Sequence, residues 1–116
     1  MIIQSIDLNM IPDGTPQIIH VNQNDSGTNR FRIFLFHEGN PYVWSNSATF
    51  KLRGTKADMT TFEAACSKSG TDYLQCDLTD DMDDIAGDTY CNIEMTDGDE
   101  RVGTQAFILR VQKEAK

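Results

Sequence analysis

The residues of this chain equipped for chemistry are its carboxylates, two histidines, three cysteines and a run of aromatic side chains. Asp80-Asp81-Met82-Asp83-Asp84 offers the hard oxygen ligands that calcium takes. An EF-hand loop, however, alternates its acidic positions and needs a glycine and then a glutamate at set places; here Met82 interrupts and no glutamate falls where it is required. The run therefore reads as a solvated helical turn. A second cluster, Asp97-Gly98-Asp99-Glu100, is accounted for by a hairpin turn. His20 and His37 lie far apart, with no elbow-type serine motif and no partnering carboxylate, and Ser26 in Asp25-Ser26-Gly27 suits a turn better than a nucleophile. Carboxylate pairs for glycoside chemistry are available among 18 acids, but nothing in so short a chain announces a cleft. The reading is of a non-enzymatic protein with no cofactor, no metal and no small-molecule substrate.

Cys66, Cys76 and Cys91 form neither a C-x-x-C pair nor a cluster with histidine, so metal binding is not indicated. Cys76 and Cys91 occupy inward positions of their strands, where a thiol behaves as a small hydrophobe. A Cys76–Cys91 disulfide requires those strands to face one another, and a cytoplasmic origin argues against it. The aromatics Phe34, Phe36, Tyr42 and Trp44 remain. Such side chains either pack within a sheet or form the apolar centre of a partner interface.

The elements that position these residues are strands. Thr71 to Val111 alternates Leu74, Cys76 and Leu78 against Gln75 and Asp77, then Cys91, Ile93 and Met95 against Asn92 and Glu94, the period of strands with one buried face. Between them Thr79 can cap a helical turn near 79–86, with Met82 and Ile85 on one side and Asp80, Asp81, Asp83 and Asp84 left to water. Gly87 ends that turn, and Asp97-Gly98 supplies a hairpin from which Arg101 to Val111 returns antiparallel, with Phe107, Leu109 and Val111 inward.

Earlier, Met1 to Met10 places Ile2, Ile6, Leu8 and Met10 on one parity, and Pro12-Asp13-Gly14 ends that strand. Gln17 to Asn22 follows with Ile19 and Val21 inward, then a turn-rich loop over 24–29. Arg30 to Phe36 has Phe31, Ile33 and Leu35 on one side and Phe34 and Phe36 on the other. Such a strand is either central and covered, or it shows aromatics to a partner. After the turn Glu38-Gly39-Asn40-Pro41 come Tyr42-Val43-Trp44 and a strand from Ala48 to Arg53 with Phe50 and Leu52 inward. Thr61 to Lys68 suits a strand with Phe62, Ala64 and Cys66 on one face, although a helical turn is tolerated there. About seven or eight short strands at this spacing predict an all-β, immunoglobulin-like antiparallel β-sandwich.

A chain of 116 residues predicts a single domain over 1–116. A net charge of −8, with Lys and Arg scattered, argues against nucleic acid and anionic membranes as partners. No apolar run reaches the length of a membrane span, and Gln4, Asp7 and Asn9 interrupt any signal-peptide pattern, so folding in the cytoplasm is expected.

The order of these features resembles the N-terminal domain of the phage baseplate upper protein family, an immunoglobulin-like module of siphophage tails. The resemblance is carried by the strand ending near Met10, the Asn24-Asp25-Ser26-Gly27 loop, the Glu38-Gly39-Asn40-Pro41 turn, Gly70, Leu78-Thr79, Gly87 and the ending Thr104-Gln105-Ala106-Phe107-Ile108-Leu109-Arg110-Val111, and it spans nearly the whole chain. It implies a structural role: docking on the distal tail or baseplate hub and holding host-adhesion parts, with other phage tail or baseplate proteins as partners. It also implies a place in the virion tail, assembly in the bacterial cytoplasm (from a phage or a prophage), and a longer protein of which this is the N-terminal module. Phe34, Phe36, Tyr42 and Trp44 are the candidate interface. A homo-oligomer stays open, since the chain has no heptads. The alternative of a different class is a carbohydrate-binding or adhesin sandwich that recognises a host-surface glycan through Tyr42 and Trp44.

Overall fold

The computed structural model describes residues 2–12, 14–25 and 27–113; Asp13 and Ser26, each within a predicted turn, lie outside the described residues. Strands are built where the sequence alternates. β1 (Ile2–Asn9), β2 (Ile18–Asn22) and β3 (Asn29–His37) come first, followed by β4 (Asn40–Pro41), β5 (Thr49–Thr55), β6 (Thr61–Ala65) and β7 (Ser67–Ser69). Then come β8 (Tyr73–Asp77), the short helix α1 (Asp80–Asp83), β9 (Gly87–Asp97), β10 (Glu100–Gly103) and β11 (Phe107–Gln112).

The strands form two sheets. One is five-stranded, in the order β1-β3-β8-β7 with β4 also on β3; the other is six-stranded, in the order β2-β11-β9-β5-β6 with β10 also on β9. The all-β sandwich is as predicted, but two of its pairings are parallel rather than antiparallel. β1 runs beside β3 with Ile6 opposite Ile33 and Leu8 opposite Leu35. β2 runs beside β11 with Ile19 opposite Leu109 and Val21 opposite Val111. The first two strands thus each extend a different sheet at its edge. A parallel neighbour cannot be joined by a hairpin, so both pairings join strands that are not hairpin partners in the chain.

The inward side chains meet as one cluster. From the first sheet come Ile6, Leu8, Phe31, Ile33, Leu35 and Leu74; from the second, Leu52, Ile93, Phe107 and Leu109, all nearly or wholly removed from solvent. The parity predicted for β1 holds for Ile6, Leu8 and Met10 but not at its start, where Ile2 is 60% exposed. There Gln4 faces inward instead, its Nε2 donating to the His20 carbonyl at 3.2 Å and to Asn29 Oδ1 at 3.0 Å. That end of the sandwich is therefore polar.

Three local devices shape the frame. At the β3–β4 hairpin Glu38 and Gly39 both take positive φ, 51° and 82°, which a two-residue turn between strands of right-handed twist requires. In β5 Gly54 lies opposite Phe62 of the edge strand β6, and a Cβ at Gly54 would stand 2.2 Å from the ring. Glycine is thus the residue that lets Phe62 lie down over the sheet. Finally, the predicted single return from Arg101 to Val111 is broken. Gly103 faces Glu94 but Phe107 faces Cys91, so four steps along one strand answer three along the other, which is a bulge. Thr104 repairs the ladder there: its Oγ1 accepts the Ile93 N–H at 3.0 Å and its own N–H donates to the Ile93 carbonyl at 2.9 Å.

The acidic turn departs most from expectation. α1 spans only Asp80–Asp83, and Thr79 sits at its N-cap without a side-chain cap hydrogen bond. Met82 is buried as predicted, but Asp83 is buried too, at 0% exposure, instead of being left to water. Its Oδ2 accepts the Asp25 N–H at 2.7 Å and its carbonyl accepts the Asn24 N–H at 3.0 Å, so it ties α1 to the β2–β3 loop. Asp84 is likewise engaged, accepting from Lys56 Nζ at 3.1 Å.

Candidate interaction surface

β3 is the strand that decides what the first sheet shows. It lies between β1 and β8, so Phe31, Ile33 and Leu35 enter the core while Arg30, Arg32, Phe34 and Phe36 project from the outer face, each half-buried. The strand is central in its sheet, and its second set of aromatics lies half-buried on the outer face. Phe34 packs against Tyr73 of β8, ring centroids 5.5 Å apart and tilted by 45°. The Arg32 guanidinium sits 5.2 Å from the centre of the same tyrosine ring, a cation–π contact. Phe36 lies opposite Asn9 on one side and Pro41 on the other. Arg30 closes the row with a two-toothed ion pair to Asp77, Nε to Oδ1 at 2.7 Å and Nη2 to Oδ2 at 3.3 Å. The result is an apolar strip flanked by polar groups, the composition of a partner-contacting patch. Arg32 and Tyr73 belong to it, although the sequence reading did not single them out. Tyr73 shared the outward parity of Gln75 and Asp77, but its meeting with Phe34 depends on the register of β3 against β8.

Tyr42 and Trp44 are not part of this strip. Trp44 is 5% exposed, and its ring meets Phe50 edge-on at 5.1 Å inside the core. Tyr42 is half-buried against the same cluster, with its hydroxyl 3.5 Å from Met95 Sδ. The segment from Tyr42 to Ala48 is a strap over the end of the sandwich. Ser45 and Ser47 donate to the two Asp97 oxygens at 2.7 and 2.6 Å, and Lys68 Nζ donates to the Asn46 and Ala48 carbonyls. The two hydroxyls hold the Asp97 carboxyl below its ordinary range. The aromatics of this segment turn inward, Trp44 onto Phe50 and Tyr42 onto Met95, while its serines face out to Asp97. Trp44 consequently presents no flat face to a sugar, and the glycan platform expected at Tyr42 and Trp44 is not formed.

The outer face of the six-stranded sheet carries a second apolar row that the sequence did not announce. Ile18, Ile108 and Tyr90 are register partners across β2, β11 and β9. Ile18 is 41% and Tyr90 58% exposed. One step along, Arg110 pairs with Asp88 at 2.8 and 3.1 Å; further across, Lys51 and Arg53 share Glu94. This row is shorter than the strip of the first sheet and is hemmed in by charge.

The N-terminal domain of phage TP901-1 ORF48 has the same fold. The two superpose with a TM-score of 0.77 over 97% of this chain and 100% of that one, at 13% sequence identity. No protein-family model matches the sequence, and no curated protein does. At such an identity the shared property is the architecture: two sheets with this strand order can be filled by different side chains provided that the inward parity is kept.

Elsewhere the described residues offer little chemistry. No three His, Cys, Asp or Glu side chains among them are grouped so as to hold a metal ion. No helix among them is long and apolar enough to cross a membrane. The surface depressions are shallow. A cleft of about 360 Å³ mixes polar lining from Gln4, His20, Asn22 and Asp25 with apolar lining from Ile2 and Val21 and has no Phe, Tyr or Trp in it.

Proposed function

We propose that this chain is a non-enzymatic structural module of a phage tail baseplate that docks host-adhesion components onto the distal tail. The observation that carries this reading is the fold shared along essentially the whole chain with an N-terminal domain of a phage protein. The order of strand ends, turns and the closing strand, which resembles the N-terminal domain of the baseplate upper protein family, adds to it. On this reading the domain, immunoglobulin-like and single over 1–116, is the N-terminal module of a longer protein and works in the virion tail after assembly in the bacterial cytoplasm. Its partners are other tail or baseplate proteins. Docking uses the outer face of the five-stranded sheet, with Phe34 and Phe36 at its centre and Tyr73 and Arg32 beside them, because an aromatic strip with a polar surround loses water at little cost to its neighbours. Of the four aromatics read from the sequence, Tyr42 serves as support and Trp44 as core.

The test is co-purification of the domain with a phage distal tail protein. Phe36→Ala and Phe34→Ala should weaken the complex at least tenfold while leaving the melting transition cooperative. Retention of full binding by both variants would remove this face from the proposal. Binding to a glycan array that survives both substitutions would favour the adhesin alternative and place its site elsewhere.

A further inference from the structure

Where the chain leaves one sheet for the other it carries a cysteine, and that cysteine has a partner. β6 ends at Ala65 in the six-stranded sheet and β7 begins at Ser67 in the five-stranded sheet, so Cys66 is the residue at the crossing. Its N–H still belongs to the first of these sheets, donating to the Phe50 carbonyl at 3.0 Å. Its position along the chain already belongs to the second. Ser67 faces Gln75 and Lys68 faces Leu74, so one step back along the same antiparallel register Cys66 faces Cys76. Directly opposed residues of antiparallel strands stand about 4.5–5.5 Å apart at Cα, inside the roughly 4.4–6.8 Å that a disulfide spans. Cys76 and Cys91, the pair that the sequence suggested, lie instead in opposite sheets.

We propose that Cys66 and Cys76 are a site of oxidative modification, closing into a cross-strand disulfide when the folded domain meets a low-molecular-weight disulfide such as oxidised glutathione. Cys66 is partly exposed, and Cys76, though buried, borders a shallow depression lined by Ala65, Ser67, Gln75 and Asp77, which is the approach a small oxidant would use. The two thiols interact directly. Each shifts the other: the neighbouring Cys66 lowers Cys76 toward the thiolate, while Cys76 together with burial holds the Cys66 proton well above the ordinary thiol range. Cys91, buried in the opposite sheet, is pushed up to about 12 by desolvation first and by the nearby Cys76 second, so it is the protonated neighbour of this pair.

The step balances as ordinary thiol–disulfide exchange. One thiolate of the pair attacks a sulfur of the small disulfide, forming a mixed disulfide and releasing one small thiol. The second cysteine, losing its proton, attacks the protein sulfur of the mixed disulfide and expels the second small thiol. The two protein thiols are oxidised by two electrons, and the small disulfide is reduced by two and takes up the two protons. The product bridges the corner at which the two sheets are joined, closing the β7–β8 hairpin at its base.

The test is exposure of the folded domain to oxidised glutathione, followed by counting of free thiols and peptide mapping by mass spectrometry. The expected product has one free thiol, at Cys91, a Cys66–Cys76 crosslink and no retained glutathione. Its melting temperature rises, and a reductant restores the original value. Cys91→Ala should give the same crosslink, whereas Cys66→Ala should give none. A Cys76–Cys91 crosslink, a stable mixed disulfide at Cys66, or three thiols unchanged in the folded domain would each overturn the proposal. Because Cys91→Ala and Cys66→Ala are read separately, loss of folding in either leaves the other, and the parent chain, to decide it.

Discussion

Asp83 shows how one residue can matter more than the cluster it belongs to. Four aspartates crowd the α1 turn, yet only Asp83 is removed from solvent, and its Oδ1 has no hydrogen-bond partner. Burial, together with the nearby carboxylates of Asp80 and Asp84, pushes its pKa above the ordinary value of 3.8, while the Asp25 amide partly opposes this. A carboxyl whose folded pKa is raised costs stability when ionised. That cost is present at neutral pH, is relieved as pH falls through the folded pKa, and is gone below 3.8. Asp58, Asp77, Asp88 and Asp97, all held below 3.8 by their partners, contribute stability that is lost as pH falls from the neighbourhood of 3.8 through their folded values; because they titrate alike in parent and variant, the difference between the two proteins isolates Asp83. Asp83→Asn removes the titration. Its melting temperature relative to the parent protein should therefore be highest at neutral pH and should decline as the pH is lowered toward 3.8. A difference that stays constant over that range, followed by thermal melts at stepped pH, would contradict the assignment.

At the scale of elements, the edge strand β6 depends on a glycine in its neighbour. β6 is short and at the rim, and Phe62 is its one fully inward aromatic, 6% exposed because the ring lies over Gly54. Gly54→Ala sets a methyl carbon against ring atoms at 2.2 and 2.4 Å, so the ring or the strand must move. Overpacking of this kind costs about 1–3 kcal/mol. The two positions should be coupled. In chemical denaturation, Gly54→Ala made in a Phe62→Ala background should cost much less than in the parent, since the ring that clashes is gone. Equal costs in both backgrounds would mean that the ring does not rest on the glycine. β3 makes the complementary point: as a central strand it spends one face on the core and has its other face free for aromatics that an edge strand would show at greater risk of unwanted pairing.

For the whole molecule, β9 is the member that every part of the second sheet leans on. It pairs with β5, β10 and β11, and Ile93 at its middle is wholly buried opposite Leu52. Ile93→Asp puts an unpaired carboxylate between the sheets at a cost of several kcal/mol, comparable to the whole stability of a domain this size. The expected outcome is loss of the cooperative melting transition and of near-ultraviolet circular dichroism. A soluble, cooperatively melting Ile93→Asp variant would show that the core is not centred there. Trp44 and Asp97 belong to this scale as well, for they anchor the strap over the end of the sandwich.

The sequence by itself determined most of the strands, most of their inward residues and the all-β class, because alternation is a property of the extended backbone and needs no knowledge of neighbours, but not the breaks at Cys66 and after Gly103, which divide two stretches that read as single strands. Phe31-Ile33-Leu35, Leu74-Cys76 and Cys91-Ile93-Met95 are legible for that reason, and glycine marks the turns at Glu38-Gly39 and at Gly98, although the second loop is Gly98-Asp99, one residue beyond the predicted Asp97-Gly98, because Asp97 still pairs with Glu100. Phe34 and Phe36 could be placed on an outer face by the same rule. What covers a face, or lies beside it, is settled by segments distant in the chain, and only the tertiary structure decided it. β1 and β2 run parallel to strands they do not follow. Tyr73 meets Phe34, Trp44 turns inward onto Phe50, and Asp83 is buried by a loop more than fifty residues earlier, 58 positions from its Asp25 partner. Cys66 faces Cys76 rather than Cys91 because the chain changes sheets at Cys66, and no local periodicity marks where a strand changes sheets.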